Sequence, residues 1–326
     1  MKTAIRTTLT SLALALTAPL AVAAEPPSRT ECIAPAKPGG GFDLTCKLLQ
    51  VSLQETGQIS SPMRVTYMPG GVGAVAYNAI VAQRPAEAGT VVAFSGGSLL
   101  NLSQGKFGRY NVDDVKWLAA VGTDYGMIAV RTDAPWKNLG ELLAAMKKDP
   151  NQVVIGAGAS IGSQDWMKTA LLARAADIDP RKMRYVAFEG GGEPVTALLG
   201  NHIQVVSGDM SEMVPHLEAG KMRVLAVMSD ERLPGQLREI PTAKEQGYDI
   251  TWPIIRGFYL GPKVSDADYQ WWQQAFSKLV QTPEFKQQRD LRGLFEFNLS
   301  GAELDSYVKK QVAEYREQAK SFGLAK

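Results

Sequence analysis

Glu31-Cys32-Ile33-Ala34-Pro35-Ala36-Lys37-Pro38-Gly39-Gly40-Gly41-Phe42-Asp43 is the stretch that decides the fold. Glu31–Ala36 reads as a strand, Lys37-Pro-Gly-Gly-Gly-Phe as a loop, and a helix is expected from about Asp43 to Thr56. A strand running through a glycine-rich turn into a helix presents bare backbone N–H groups and a positive helix end, a natural seat for an anion. Glycine also lets a ligand approach the main chain closely and permits positive φ.

The same unit recurs outward along the chain. Met63–Tyr67 leads through Met68-Pro-Gly-Gly-Val-Gly into a helix ending near Ala82, and Thr90–Phe94 ends at Ser95-Gly-Gly-Ser. Val153–Ile155 leads through Gly156-Ala-Gly-Ala-Ser-Ile-Gly-Ser into a helix from Gln164 to Ala175. Arg184–Ala187 leads through Phe188-Glu-Gly-Gly-Gly-Glu into a helix over Pro194–Leu199. Alternating strands and helices predict an α/β protein with largely parallel pairing, whose ligand lies at the carboxyl ends of the strands. Trp117–Val121 and Met127–Arg131 flank Gly122-Thr-Asp-Tyr-Gly, a plausible crossing between two domains. Further helices are expected over Leu139–Lys148, Glu239–Gly247, Asp266–Gln281 and Ala302–Ser321, and strands over His202–Ser207, Arg223–Met228 and Ile254–Leu260.

Composition bounds the function. The 326 residues, 45% hydrophobic and 21% charged, suit about two globular domains. A formal charge of +2 is too balanced for a nucleic-acid groove. Two His and two Cys leave no material for zinc clusters or a disulfide-dense scaffold, and no metal or cofactor is expected. Lys2 and Arg6, the uncharged run Leu9–Leu20 and Ala21-Val-Ala-Ala describe a secretory signal peptide too short to span a membrane, with cleavage near Ala23 or Ala24. Its removal leaves 33 basic and 33 acidic residues. Export permits a disulfide between Cys32 and Cys46; two separate thiols are the alternative, and the sequence does not choose.

Enzyme motifs mostly fail. Gly71-Val-Gly-Ala-Val-Ala76 matches a dinucleotide fingerprint, yet Thr90–Phe94 ends without the acid a ribose needs. No phosphate-loop Gly-Lys-Ser/Thr ends any of the turns. Gly158-Ala-Ser160-Ile-Gly162, with Asp179 and then His202 or His216 downstream, matches a nucleophile elbow and makes a secreted serine hydrolase the alternative reading.

The residues Ala34 to Asp43 together resemble the first-loop signature of the tripartite tricarboxylate transporter receptors, the Bug family of exported solute-binding proteins. Met68-Pro-Gly-Gly-Val-Gly73, Gly158–Ser163, Glu189-Gly-Gly-Gly-Glu-Pro194 with Ala197-Leu-Leu-Gly200, and Ala219–Val227 with Ile240-Pro-Thr and Glu245-Gln-Gly-Tyr248 resemble its later signatures. Thr45-Cys46-Lys47 and Phe188-Glu189 depart from the commoner pattern, and Phe-Asp-Leu-Thr-Cys is similar to the branch serving citrate and other tricarboxylates. The resemblance implies a type II periplasmic binding protein, a two-domain "Venus flytrap" in which each domain is a mixed sheet flanked by helices. Residues 25–124 with 252–326 would form domain one, and 125–251 domain two. It also implies a citrate-like ligand, permease subunits as partners, a periplasmic location and a monomer without catalytic activity.

The ligand would be gripped by Gly39, Gly40, Gly41 and Phe42 of the first loop, by Gly70 and Gly71, and by Glu189, Gly190, Gly191 and Gly192 of the opposite loop. Lys37 and Arg256 are candidates for cationic help, and Ser95, Ser98, Ser160 and Ser163, beside Gly96, for hydroxyl donors. Asp43 is expected to cap a helix and order the first loop, and Asp209 to orient the domain-two loop.

Overall fold

The computed structural model describes Pro27 and residues 29–325; the expected signal peptide lies outside the described residues. The first segment runs β1 (Glu31–Ala34), α1 (Gly41–Glu55), β2 (Arg64–Tyr67), α2 (Ala74–Ala82), β3 (Thr90–Ser95), α3 (Gly96–Ser103) and β4 (Lys116–Arg131). The second runs α4 (Leu139–Lys148), β5 (Val154–Ala157), α5 (Gln164–Ala175), β6 (Arg184–Ala187), α6 (Gly192–Leu199), β7 (Val205–Asp209), α7 (Met210–Glu218) and β8 (Met222–Val227). The chain returns through β9 (Pro253–Leu260), α8 (Asp266–Leu279), α9 (Pro283–Leu291), β10 (Phe295–Ser300) and α10 (Gly301–Ser321).

All ten strands join through β4, in the order β2-β1-β3-β9-β4-β7-β5-β6, with β8 and β10 also pairing with β4. The first part of β4 pairs antiparallel with β9 and β10, and its second part with β7 and β8. The crossing expected at Gly122–Gly126 is therefore an unbroken 16-residue strand. Its bend and its glycines obscured that continuity. A Cβ at Gly126 would overlap the Lys168 stem, so glycine here lets a buried lysine lie across the strand. Pairing is parallel only for β1 with β2 and β3 and for β5 with β6 and β7, so the sheet is mixed rather than largely parallel. Both outer strands, β2 and β6, have four residues and partly exposed side chains that include Arg64 and Arg184, which blunts the edges.

One apolar cluster runs along a single face of the sheet through both halves, from Ile33 and Phe94 past Trp117 and Ile128 to Ile155 and Trp166. A second packs α1 and α8 behind the first half, and a third packs α6 and α7 behind the other. The helix α10 straps the two halves: Phe322 packs edge-on against Trp166, and Arg174 lies over the Phe322 ring.

Several local expectations are corrected. Glu239–Gly247 holds only the 3₁₀ turn Lys244–Gln246, because Thr242 bridges to Val227 and the Pro241 carbonyl accepts the Val227 N–H. The strand expected from His202 starts at Val205, since the His202 N–H still bonds to Ala197 at the end of α6. The helices α3 and α9 and the strand β10 were not foreseen; α3 opens with Gly96-Gly97.

Cys32 on β1 and Cys46 on α1 form a disulfide, with Cα atoms 5.6 Å apart. It fixes the start of α1, and so the first glycine loop, to the sheet. Replacing both with Ser is expected to cost about 3 kcal/mol, the entropy of releasing a loop of roughly 15 residues, read as a lowered denaturation midpoint with a slope no shallower than the wild type's.

Candidate functional site

The glycine-rich turns converge on one cavity of about 310 Å³ between the halves of the sheet. Of the residues expected at the site, Gly40, Gly41, Phe42, Gly70, Gly71, Ser95, Ser160, Ser163, Glu189, Gly190, Gly191, Asp209 and Arg256 line it. Among the described residues, the main-chain N–H groups of Gly40, Phe42, Ser160, Gly190 and Gly191 find no protein acceptor. Such a set of donors at the starts of α1 and α6 and in the turn before α5 suits a carboxylate.

The other expected residues do not line the cavity. Lys37 turns across the mouth, where its ammonium meets Glu193 at 2.9 Å and Glu189 at 3.2 Å, so its charge ties the first loop to the opposite one. Gly39 and Gly192 pack against each other where the loops meet. Asp43 is buried in the first turn of α1, accepting the Gly39 N–H at 2.8 Å, the Tyr67 hydroxyl and Lys47. It orders the loop from inside the helix, because the N-cap itself is Gly40. Ser95 and Ser98 form the capping box of α3, and a Cβ at Gly96 would crowd Tyr315.

The glycines answer mostly to close approach. Gly40 has φ −98°, and a Cβ there would stand 3.0 Å from the Gly191 nitrogen. A Cβ at Gly191 would overlap the Glu212 carboxyl group, and one at Gly41 the Arg256 guanidinium. The second loop differs: Gly70, Gly71, Val72 and Gly73 all have positive φ. Val72, at φ +54°, is β-branched in a region that costs roughly 1–2 kcal/mol, strain held beside the cavity.

Beneath the loops lies a charged floor that the sequence reading largely missed. Arg256, 1% exposed, bonds Asp124 at 2.7 Å and Asp209 at 2.6 Å. Lys168, fully buried, bonds Asp165 at 2.8 Å and Asp209 at 2.9 Å. Asp124 also accepts the Ser211 hydroxyl and N–H. Burial opposes the charge on Arg256, yet Asp209 and Asp124 outweigh it and hold the guanidinium above its ordinary range. Burial likewise opposes the charge on Asp209, but Lys168 and Arg256 hold its carboxyl below the usual range. Glu212 goes the other way: burial, then the neighbouring Asp209 and Asp165, push it up to about 8. Arg256 is thus already committed through Nη2 to two aspartates, and its buried Nε has no partner. Signals for these residues were faint: Asp209-x-x-Glu212 is a capping-box spacing, and Asp165 with Lys168 an i,i+3 ion pair.

A hydrolase triad is not assembled. Ser160 lines the cavity but no histidine does, and Asp179 is taken up by Arg181.

Two half-sheets joined by crossing strands, with donor loops from both facing one cleft, form the two-domain fold of a periplasmic binding protein. The chain belongs to the family whose model is described as "Tripartite tricarboxylate transporter family receptor", which matches residues 50–324. Relatives include "UPF0065 protein in gbd 5'region" of Cupriavidus necator, 24% identical over 67% of this chain and 66% of that one, and "Protein BugT" of Bordetella pertussis, 26% identical over 72% and 70%. The chain thus spans just under two thirds of the length of the first of these. Among solved structures, the periplasmic binding protein BugD superposes with a TM-score of 0.81 at 20% identity, over 92% of this chain and 99% of that one. Two from Rhodopseudomonas palustris are also similar. MatC with bound malate gives 0.77 at 19% identity over 89% and 98%, and a protein with adipate gives 0.79 at 17% over 91% and 98%.

Replacing Arg256 with Ala is expected to cost about 3–5 kcal/mol, because it leaves Asp124 a buried carboxyl group without a cation and Asp209 with Lys168 alone. Arg256→Lys recovers little of this, since the lysine arm is one bond shorter and does not bring its ammonium to where Nη2 meets both carboxylates. Urea denaturation of the two variants checks both statements.

Proposed function

We propose that the chain is exported, loses its first 24 residues, and captures a small organic carboxylate of the citrate class, di- or tricarboxylic, in the periplasm. It then delivers the acid as a monomer to the integral-membrane permease of a tripartite tricarboxylate transporter. Residues 25–124 with 252–326 form one lobe and 125–251 the other, closing on the ligand as a flytrap does. The observation that carries this reading is the set of unpartnered N–H groups brought to one cavity from loops of both half-sheets. Neutral donors and helix ends bind a carboxylate without a cage of arginines. The malate and adipate of the two similar structures add weight to a ligand of this class. The Cys32–Cys46 disulfide supports an oxidising compartment.

A ligand that binds the folded state adds about 2.7 kcal/mol at a hundredfold excess over its dissociation constant. For a chain of this length that raises the melting temperature by roughly 4–8 °C. At least one of malate, adipate and citrate is expected to produce this shift and acetate, with a single carboxylate, is not. Gly191→Val is expected to abolish the response, since its side chain collides with Glu212 and holds the loops apart. Melting curves unmoved by every acid at millimolar concentration would overturn the proposal.

A further inference from the structure

At the start of α1 the anion seat is already occupied by the protein itself. The Gly41 N–H, from the first half of the molecule, donates to Glu212 Oε1 at 2.9 Å, from α7 in the second half, and the pair is buried. The α1 N-cap is Gly40 and offers no side chain of its own, so the Glu212 carboxyl serves that helix end across the cleft. Glycines shape the space it fills: a Cβ at Gly191 would overlap it, and one at Gly208 would stand 3.1 Å from its Oε2. The same cavity wall carries buried polar atoms without partners, namely Arg256 Nε, Gln164 Oε1 and Asn101 Oδ1.

The structure assigns Glu212 as a specificity-determining residue that stands in for one carboxylate of the ligand, so that the site accepts a dicarboxylate and discriminates against a tricarboxylate. This rests on the carboxylate-receptor reading above. Its physical basis is seat and charge together. The groups facing Glu212 are Asp209 at the head of its own helix, Asp165 and Lys168 from α5, Asp124 from β4 and Arg256 from β9. With Glu212 protonated, that leaves three acids, Asp209, Asp165 and Asp124, against two cations, so the floor repels each further negative charge brought to it. A third ligand carboxylate would have to displace Glu212 from Gly41 or lie against this excess. Burial and the adjacent acids hold the Glu212 proton at neutral pH. An anion bound beside it favours the protonated form further, so affinity is greatest below about pH 8 and declines as the pH rises through that value.

The experiment is calorimetric titration of the wild type, Glu212→Ala and Glu212→Gln with malate, adipate and citrate between pH 6 and 9, with melting curves to establish that each variant is folded. The wild type is expected to bind at least one of the dicarboxylates about tenfold or more tightly than citrate, the worth of one charge-assisted hydrogen bond. Glu212→Ala frees the Gly41 N–H and removes an acid, so that ratio is expected to fall by a similar factor. Glu212→Gln keeps an acceptor for Gly41 without a titrating proton, so its affinities are expected to lose the decline through pH 8. A folded Glu212→Ala protein with an unchanged dicarboxylate-to-citrate ratio would overturn the assignment while leaving the receptor reading intact. A wild type that prefers citrate would overturn it in the same way. A wild type that binds none of the three acids would instead overturn the receptor reading on which the assignment depends.

Discussion

The guanidinium of Arg256 is the constraint around which the molecule is arranged. It sits on β9, the return strand, and holds Asp124 in the middle of the long crossing strand β4 and Asp209 at the end of β7. One buried cation therefore ties the strand that links the halves of the sheet to the strand that begins the second half's ligand wall. The ion pairs contribute modest net stability, because desolvating all three groups offsets most of the attraction. Their larger effect is on geometry: breaking the Asp124 pair leaves a fully buried carboxyl group without a cation. Gly41 is glycine because the guanidinium lies against it, so the same residue also fixes how near the first loop comes to the floor.

From that anchor the glycine loops follow. Two loops from opposite halves meet within contact distance, Gly40 against Gly191 and Gly39 against Gly192. Side chains at those positions would hold the walls apart and spoil the array of N–H donors. The Lys37 bridge to Glu189 and Glu193 closes the mouth outside that array. It lies near the surface, screened by solvent, and so contributes little net stability.

Much of this was legible in the sequence. The repeated strand, glycine turn and helix start located the cavity, and the family resemblance quoted on those turns matches the family to which the chain belongs. The turns were readable because glycine and proline punctuate them and because apolar periodicity changes at each one. The charged floor as a network was not, because Asp124, the Asp165–Lys168 pair, the Asp209–Glu212 pair and Arg256 lie far apart in sequence and meet only in the fold. Asp209 and Arg256 were expected at the site one by one, whereas Asp124, Asp165, Lys168 and Glu212 read singly as ordinary surface charges. Arg256 and Lys37 were singled out as cations for the ligand, yet both are engaged with acids of the protein. The continuity of β4 was hidden for a similar reason: Gly122 and Gly126 look like turn residues until the groups packed over them are seen.

What these features share is a division of labour between neutral donors around the ligand and a charged network beneath it. The most direct test is the crystal structure of the protein saturated with malate. The account predicts a ligand carboxylate within hydrogen-bonding distance of the N–H groups of Ser160, Gly190 and Gly191, with Arg256 still bound to Asp124 and Asp209. A ligand carboxylate paired directly with Arg256, with either aspartate released, would contradict it.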